Sequence, residues 1–294
     1  MYIYVRSRQL ENTYPGDPQT GTWPITAMRI CRGWGAPPDS AWPYDGRASA
    51  WPPREPWGVD DLAKDFRIDV YQRARTVEEC KAVLASRNTV AATLEITDQW
   101  YKAPKGNIAM PTPRDKKVGF HCIHLVGYDN APGHFIFANS WGTSWGDKGY
   151  GYIPYNVFNA TWVEGWWVPI FDKQPNSERA SGIKLQWWGA GSPESGMVHC
   201  CEIVGPEDER IGWAFALQRD GAIEVEELFV KPQMRRKGYG TQMAQYMRDV
   251  ALALNLEFKI WISYADIGPR PFFLVKKLAR KFGLRIDPSG SLQS

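Results

Sequence analysis

Histidine is scarce in this 294-residue chain, with only four, and the five cysteines are odd in number and scattered at positions 31, 80, 122, 200 and 201. None of their spacings is that of a zinc ribbon or a dense disulfide framework, so no metal site is expected and the cysteines read as mostly buried thiols. The formal net charge is only +3, too small to argue for a nucleic-acid or anionic-membrane partner. No apolar run approaches the ~20 residues that a membrane-spanning helix needs. The opening MYIYVRSRQLENTYPG has neither the apolar core nor the small-residue cleavage site of a signal peptide. A soluble, cytoplasmic chain is the expectation, and oligomeric state is not legible. Internal repeats and low-complexity tracts are also absent.

Tryptophan, glycine and proline are abundant, at 15, 27 and 22 residues, which favours an aromatic-rich, loop-rich fold over long helical bundles. The length allows two domains. Up to residue 172 the pattern is short β-prone runs, such as TVAATLEI (89–96) and HFIFANSW (134–141), with few helical signals. One predicted helix is ITAMRICRGWG, stopped at Gly33; another is TVEECKAVLAS, with Thr76 as N-cap and Glu79 three residues on. The polar segment 173–182, with Pro and Gly and no periodicity, is the expected linker. From 183 to 294 the pattern becomes strands followed by helices, and Met243, Met247, Val250, Ala251 and Leu254 make one helical stripe. The predicted fold class is α+β in two domains, 1–172 and 183–294, the second an α/β sandwich.

His121 and Asn139 lie 18 positions apart on two apolar β-prone runs joined by the turn-rich DNAPG. A hairpin brings such residues together, and a side-chain amide on one imidazole nitrogen sets the tautomer that leaves the other nitrogen able to take a proton from a nucleophile. Trp141 and Trp145 are placed to shield that bond. Alone, a His and Asn pair is more often the signature of a hydrogen-bonded core histidine. The surrounding run FHCIHLVGYDN…FANSWGTSWGDKGYGYIPY, however, resembles the His and Asn segments of papain-like cysteine peptidases. The stretch from Leu10 to Gly46 resembles the region after the nucleophile helix in their bacterial members. The resemblance covers residues 1 to about 170 and implies His121 as general base and Asn139 as its orienting amide. His124 then replaces an apolar strand residue, and His134 falls in the turn.

In that family the catalytic Cys precedes the His by about 130–150 residues, a position that falls before Met1, as does the Gln of the oxyanion hole. Cys31 lies 90 residues upstream near the end of its predicted helix, where the negative dipole end raises a thiol's pKa. Cys122 neighbours the base but belongs to the other face of a strand. The expectation is a catalytically incomplete peptidase domain, either a non-catalytic descendant or a truncated form of an active fusion, with apolar surface left exposed.

The second constellation is EVEELFVKPQMRRKGYGTQMAQYMRDV. Ile223 and Val225 share one phase of a strand, Leu228 and Val230 the other, which predicts a β-bulge near Glu226 and Glu227. Arg235, Arg236, Lys237, Gly238, Tyr239 and Gly240 lead into a helix whose first N–H groups can receive a phosphate. A glycine-bearing turn is a weak signal by itself. Strand, bulge, V-x-P, R-R-K-G-Y-G-T and amphipathic helix together resemble the acetyl-CoA signature of the GNAT acyltransferases, over residues 183 to about 287. The resemblance implies acetyl-CoA as cosubstrate, the backbone of Leu228, Phe229 and Val230 on the acetyl arm, and the amides of Arg236 to Thr241 on the pyrophosphate. It implies Glu227, with Glu226 as alternative, as general base, although both also fit solvated edge charges. A general-acid Tyr of the family is Ala279 here, so proton return to the thiolate falls to water or another group, with Tyr264 as a candidate. The family's two acceptor-side helices have no room in GAGSPESG (189–196), so acceptor recognition is either minimal or supplied by the first domain, which would present a peptide or protein amine. The leading expectation is N-acetyl transfer beside an incomplete peptidase domain; the alternative is a non-catalytic CoA- or peptide-binding scaffold. Nucleic-acid binding through Arg235–Lys237 and Lys276–Lys281 is disfavoured, because aromatics are not interleaved with those bases.

Overall fold

The computed structural model describes residues 1–44, 51–169, 182–188, 197–205, 209–260, 285–286 and 292–293. They fall into two compact units, Met1–Arg67 with Phe171–Ser294, and Ile68–Ile170.

The first unit opens with helices α1 (Tyr2–Leu10), α2 (Pro24–Gly33) and α3 (Val59–Ala63). The sequence pattern anticipates α2, which starts on a proline whose missing N–H is no loss in a first turn, and ends at Gly33 as expected. It does not anticipate α1. Tyr, Ile and Val in YIYVRSRQL are poor helix formers, and burial of Tyr2 and Val5 against Ile30, Trp42, Val59 and Ala63 overrides that preference. Arg8, fully buried, donates to Tyr4 Oη, Thr13 O and Oγ1, and Thr20 O, so its charge is satisfied and the loop that follows is tied back to α1.

The second unit is a six-stranded antiparallel sheet in the order β1-β6-β2-β3-β4-β5. Its strands are β1 (Gln72–Ala74), β2 (Val90–Thr97), β3 (Lys117–Asp129), β4 (His134–Ala138), β5 (Tyr150–Pro154) and β6 (Trp162–Trp167). Helices α4 (Val77–Ala85) and α5 (Tyr155–Thr161) pack on it. The Thr76 hydroxyl accepts from the Glu79 N–H at 3.0 Å, the cap expected from the sequence, while the Glu79 carboxylate accepts from the Arg75 N–H instead of closing the reciprocal bond on Thr76. Period-two alternation buries Ile123 and Leu125 of β3 with Leu94, Phe135, Phe137 and Ile153. Phe120, Cys122, His124 and Val126 face outward and are exposed.

The remainder of the first unit is a seven-stranded sheet in the order β12-β13-β11-β10-β9-β8-β7. It contains β7 (Gly182–Trp188), β8 (Met197–Val204), β9 (Arg210–Arg219), β10 (Ala222–Val230), β11 (Glu257–Ile260), β12 (Arg285–Ile286) and β13 (Leu292–Gln293), with α6 (Tyr239–Ala253) crossing between β10 and β11. That crossover makes β10 and β11 parallel; the other pairs are antiparallel. Met243, Met247, Val250 and Ala251 of α6 pack on Ile203, Ile211, Ala214, Ile223, Val225 and Phe258. Leu254 departs from the expected stripe: it follows the last helical turn and is exposed.

The opposite face of this sheet is covered by α2. Arg29 pairs with Glu227 of β10 at 3.0 Å, and Arg32 pairs with Glu202 of β8, which Arg210 also reaches at 3.2 Å. Arg32 lies over the Trp213 and Phe215 rings, and Lys231 lies 4.5 Å over Trp34. Residues 1–67 therefore group with the C-terminal sheet, a departure from the expected single domain over 1–172. The physical reason is the set of buried charges on α2, whose carboxylate partners lie 170 and 198 positions away. The expected linker lies outside the described residues except for Gly182, which opens β7; so do GAGSPESG, Tyr264, Ala279 and Lys276–Lys281.

Arg32→Ala removes one of the guanidinium partners of buried Glu202. We expect a loss of about 3 kcal/mol, the low end for breaking a buried ion pair, measured as a lower urea midpoint for the unit at unchanged slope.

Candidate functional site

His121 and Asn139 meet as the hairpin requires. The β3–β4 register pairs His124 with Ala138, which sets Asn139 diagonally across from His121 on the same face. His121 Nε2 is 2.8 Å from Asn139 Oδ1. An amide oxygen only accepts, so Nε2 carries the proton and Nδ1 is left as the basic nitrogen. Asn139 Oδ1 also accepts from the Ser140 N–H, and the Asn139 backbone N–H donates to Gly149 O, so the amide oxygen and the main chain of Asn139 are each held. Trp141 stacks on the imidazole at 4.7 Å between ring centres, and Tyr101 stacks on Trp141 at 5.1 Å. Trp145 stands edge-on to Trp141 and donates from Nε1 to Trp100 O, forming the second layer of the cover. Burial lowers the His121 pKa below its ordinary value, opposed by the Asn139 hydrogen bond.

The other histidines of this unit stand apart. His124 is exposed on the outer face of β3. His134 is the first residue of β4, paired with Asp129, not part of the turn as expected from the sequence. Cys122 also faces outward, paired across the sheet with Thr93. Cys31 belongs to the other unit, in the last turn of α2, where burial pushes its thiol up to about 11. Burial pushes the Cys80 and Cys201 thiols up to about 12. These are the reverse of an activated nucleophile.

In the first unit, β10 slips register between Val225 and Glu227, the bulge expected from the change of phase. It lets Ile223 and Val225, and then Leu228 and Val230, all face α6. Glu226 occupies the bulge and is buried. Gly238 caps α6 with φ +90°, a conformation costly for any residue with a Cβ. A Cβ on Gly240 would lie 3.2 Å from Leu228 Cδ2, so the start of α6 closes directly on the strand. The first-turn N–H groups of Tyr239, Gly240 and Thr241 have no intrahelical acceptor, and Arg236 and Lys237 beside them are exposed. Arg235 is exposed as well, donating to Val230 O at 3.0 Å and lying over Phe229. Strand backbone, glycine turn and helix amides thus converge, an arrangement that fits a ligand carrying a diphosphate.

Glu227 is less available than the sequence suggests. Both of its oxygens are engaged by Arg29, at 3.0 and 3.3 Å, and it is 2% exposed. Arg29 and Arg32 are the site residues that sequence reasoning misses. The available signal is RICR, two arginines three apart on a helix whose neighbours are apolar, because buried cations require partners.

A β-hairpin that orients a histidine by an asparagine under a tryptophan stack, joined to a bulged strand and glycine-capped helix, defines a papain-type fold combined with an acyltransferase-type fold. The model of the papain family cysteine protease matches residues 16–165, and that of the acetyltransferase (GNAT) family matches residues 157–273. The chain belongs to the papain family and carries a GNAT domain after the papain-like part. It is 26% identical over 218 residues, 68% of each chain, to an uncharacterized peptidase C1-like protein of Acanthamoeba polyphaga mimivirus. It is 31% identical over 80 residues to Peptidase 1 of Dermatophagoides pteronyssinus, spanning only 25% of that protein. Among solved structures, xylellain, a cysteine protease from Xylella fastidiosa, superposes with a TM-score of 0.52 at 26% identity, over 58% of this chain and 69% of that one. GNAT domains use acetyl-CoA. Among the described residues no helix is long and apolar enough to cross a membrane.

A proton titration of His121 by NMR should give a midpoint below 6.5, its unperturbed value. Because the folded state binds fewer protons than the unfolded state in that window, stability contributed by this group is present above 6.5 and falls as pH drops toward the folded midpoint. Asn139→Ala should move the midpoint further down, because the bond it removes favours the protonated ring.

Proposed function

We propose that this chain is an acetyl-CoA-dependent N-acetyltransferase whose papain-like part does not cleave peptides, and whose acceptor is a peptide or protein amine. The carrying observation is the run from the β10 bulge to α6: the bulge after Val225, the Gly238 cap and the closure of Gly240 on Leu228. Acetyl-CoA supplies an activated thioester. The main chain of Leu228, Phe229 and Val230 holds the acyl arm and polarises its carbonyl. The amides from Arg236 to Thr241 hold the pyrophosphate, with Arg236 and Lys237 adding attraction. Direct attack by an amine then requires that the two reactants be held together and that one proton be removed. Glu227, with Glu226 beside it, is the carboxylate for that proton.

Loss of peptidase activity is supported by the thiols: the raised values at Cys31, Cys80 and Cys201 and the outward Cys122 provide no thiolate for His121. All five cysteines are free, which favours a reducing, cytoplasmic setting. A second reading, a coenzyme-binding scaffold without turnover, is favoured by the engagement of Glu227 with Arg29.

Acetyl-CoA is expected to raise the melting temperature of the full chain and, with an amine panel, to release CoA. Binding without release selects the scaffold. Gly238→Val places a β-branched residue at φ +90°; it should lose about 1–2 kcal/mol of stability and abolish the acetyl-CoA shift. An active-site thiol probe at neutral pH should label no cysteine stoichiometrically; labelling lost in Cys31→Ala would contradict the peptidase half of the proposal.

A further inference from the structure

The sheet face opposite α6 is built as a seat for a cationic helix. Glu227 and Glu202 present carboxylates from β10 and β8, and Phe229, Trp213 and Phe215 present rings between them. Helix α2 fills the seat with two arginines at i and i+3, on one face of a helix. Arg29 engages both oxygens of Glu227 and lies 5.2 Å over Phe229. Arg32 engages Glu202 and lies over Trp213 and Phe215. At the next residue, a Cβ on Gly33 would lie 2.9 Å from the Trp213 ring, so the helix is seated tightly. Glu227 directly precedes Leu228, where the transferase reading puts the acetyl arm. In that reading Glu227 is the carboxylate that meets the acceptor ammonium, so the Arg29 guanidinium occupies the place the ammonium would take against Glu227. A guanidinium stays protonated at neutral pH and cannot attack a thioester.

We propose that α2 is an intramolecular pseudosubstrate, Arg29 standing in for the acceptor lysine. The acceptor it mimics is a basic helical segment of a protein, with a second cation three residues beyond the lysine to meet Glu202. The inference rests on the transferase reading. With lysine in the seat, Glu227 takes one proton from the ammonium and the neutral nitrogen attacks the acetyl carbonyl. The C–N bond forms, the C–S bond breaks, and the nitrogen loses its second proton to water. The CoA thiolate recovers the first proton from Glu227, so the products are acetyl-lysine, CoA thiol and one released proton.

The test uses full-length Arg29→Lys with acetyl-CoA, read by intact mass and peptide mapping. The expected result is one acetyl group on the introduced lysine, formed at a rate independent of protein concentration, and at least ~100-fold slower when Glu227→Gln is added, the general-base contribution. An introduced lysine left unmodified while acetyl-CoA still raises the melting temperature overturns the inference alone. So does acetylation spread evenly over surface lysines, or placed on Lys231, the buried lysine of the same face. If acetyl-CoA shifts the melting temperature of neither wild type nor variant, the transferase reading fails and the inference falls with it. Should the substitution prevent folding, wild-type protein is given a synthetic peptide of residues 22–35 carrying Arg29→Lys. Acetylation of that lysine, suppressed by excess unchanged peptide, supports the inference, and no acetylation overturns it.

Discussion

Two guanidinium groups buried against a β-sheet hold the larger unit together. Arg29 and Arg32 of α2 have side chains only 7% and 4% exposed, and their carboxylate partners Glu227 and Glu202 are as deeply covered. Charges so placed are tolerable only when both partners are present, because removing one leaves the other stripped of water with nothing to compensate it. The helix and the strands are therefore mutually dependent. Behind α2, Ile30 packs with Tyr2, Val5, Trp42 and Val59, so the pairs also orient the whole helical cluster of residues 1–67 on strands β8 to β10. Flanking rings carry part of the load, with Arg29 over Phe229 and Arg32 over Trp213 and Phe215.

Family membership and physical grouping consequently divide this chain differently. The papain family match runs over residues 16–165, yet its first part packs in the unit that contains the GNAT strands, while residues 68–170 form a sheet with a separate core. The His121–Asn139 pair needs nothing beyond that second core. A hairpin register sets the two residues on one face, and the stack of His121, Trp141 and Tyr101 keeps water from the bond. On the other unit, the bulge and the start of α6 are likewise local, one strand and one helix in direct contact. The non-local element is Arg29, which brings a residue of the papain-matched segment to the carboxylate beside the expected acyl site.

What was legible in the sequence follows this division. The bulge was visible because a strand that buries Ile223 and Val225 and then Leu228 and Val230 must slip by one residue. The Thr76 cap, the stop of α2 at Gly33 and the meeting of His121 with Asn139 were visible for the same reason, each depending on neighbours within about twenty positions. Helix α1 was not, because its residues prefer strands and only burial against α2 and Trp42 makes it helical. Leu254 continued the helical period in sequence but came one residue after the helix ends. His134 looked like a turn residue beside Pro132 and Gly133, whereas pairing with Asp129 and Pro154 draws it into β4.

The amino-acid sequence by itself determined the bulge of β10, the meeting of His121 with Asn139 and the glycine-capped helix start, since each follows from side-chain period, turn chemistry and backbone freedom over short spans; the two folds were legible through family resemblance. Only the tertiary structure decided which body residues 1–67 join and whether Glu227 stands open or engaged. A buried arginine declares that it needs partners, but that Arg29 and Arg32 find theirs in two of 32 acidic residues depends on where the chain returns 170 to 198 positions later, and no local pattern carries that information.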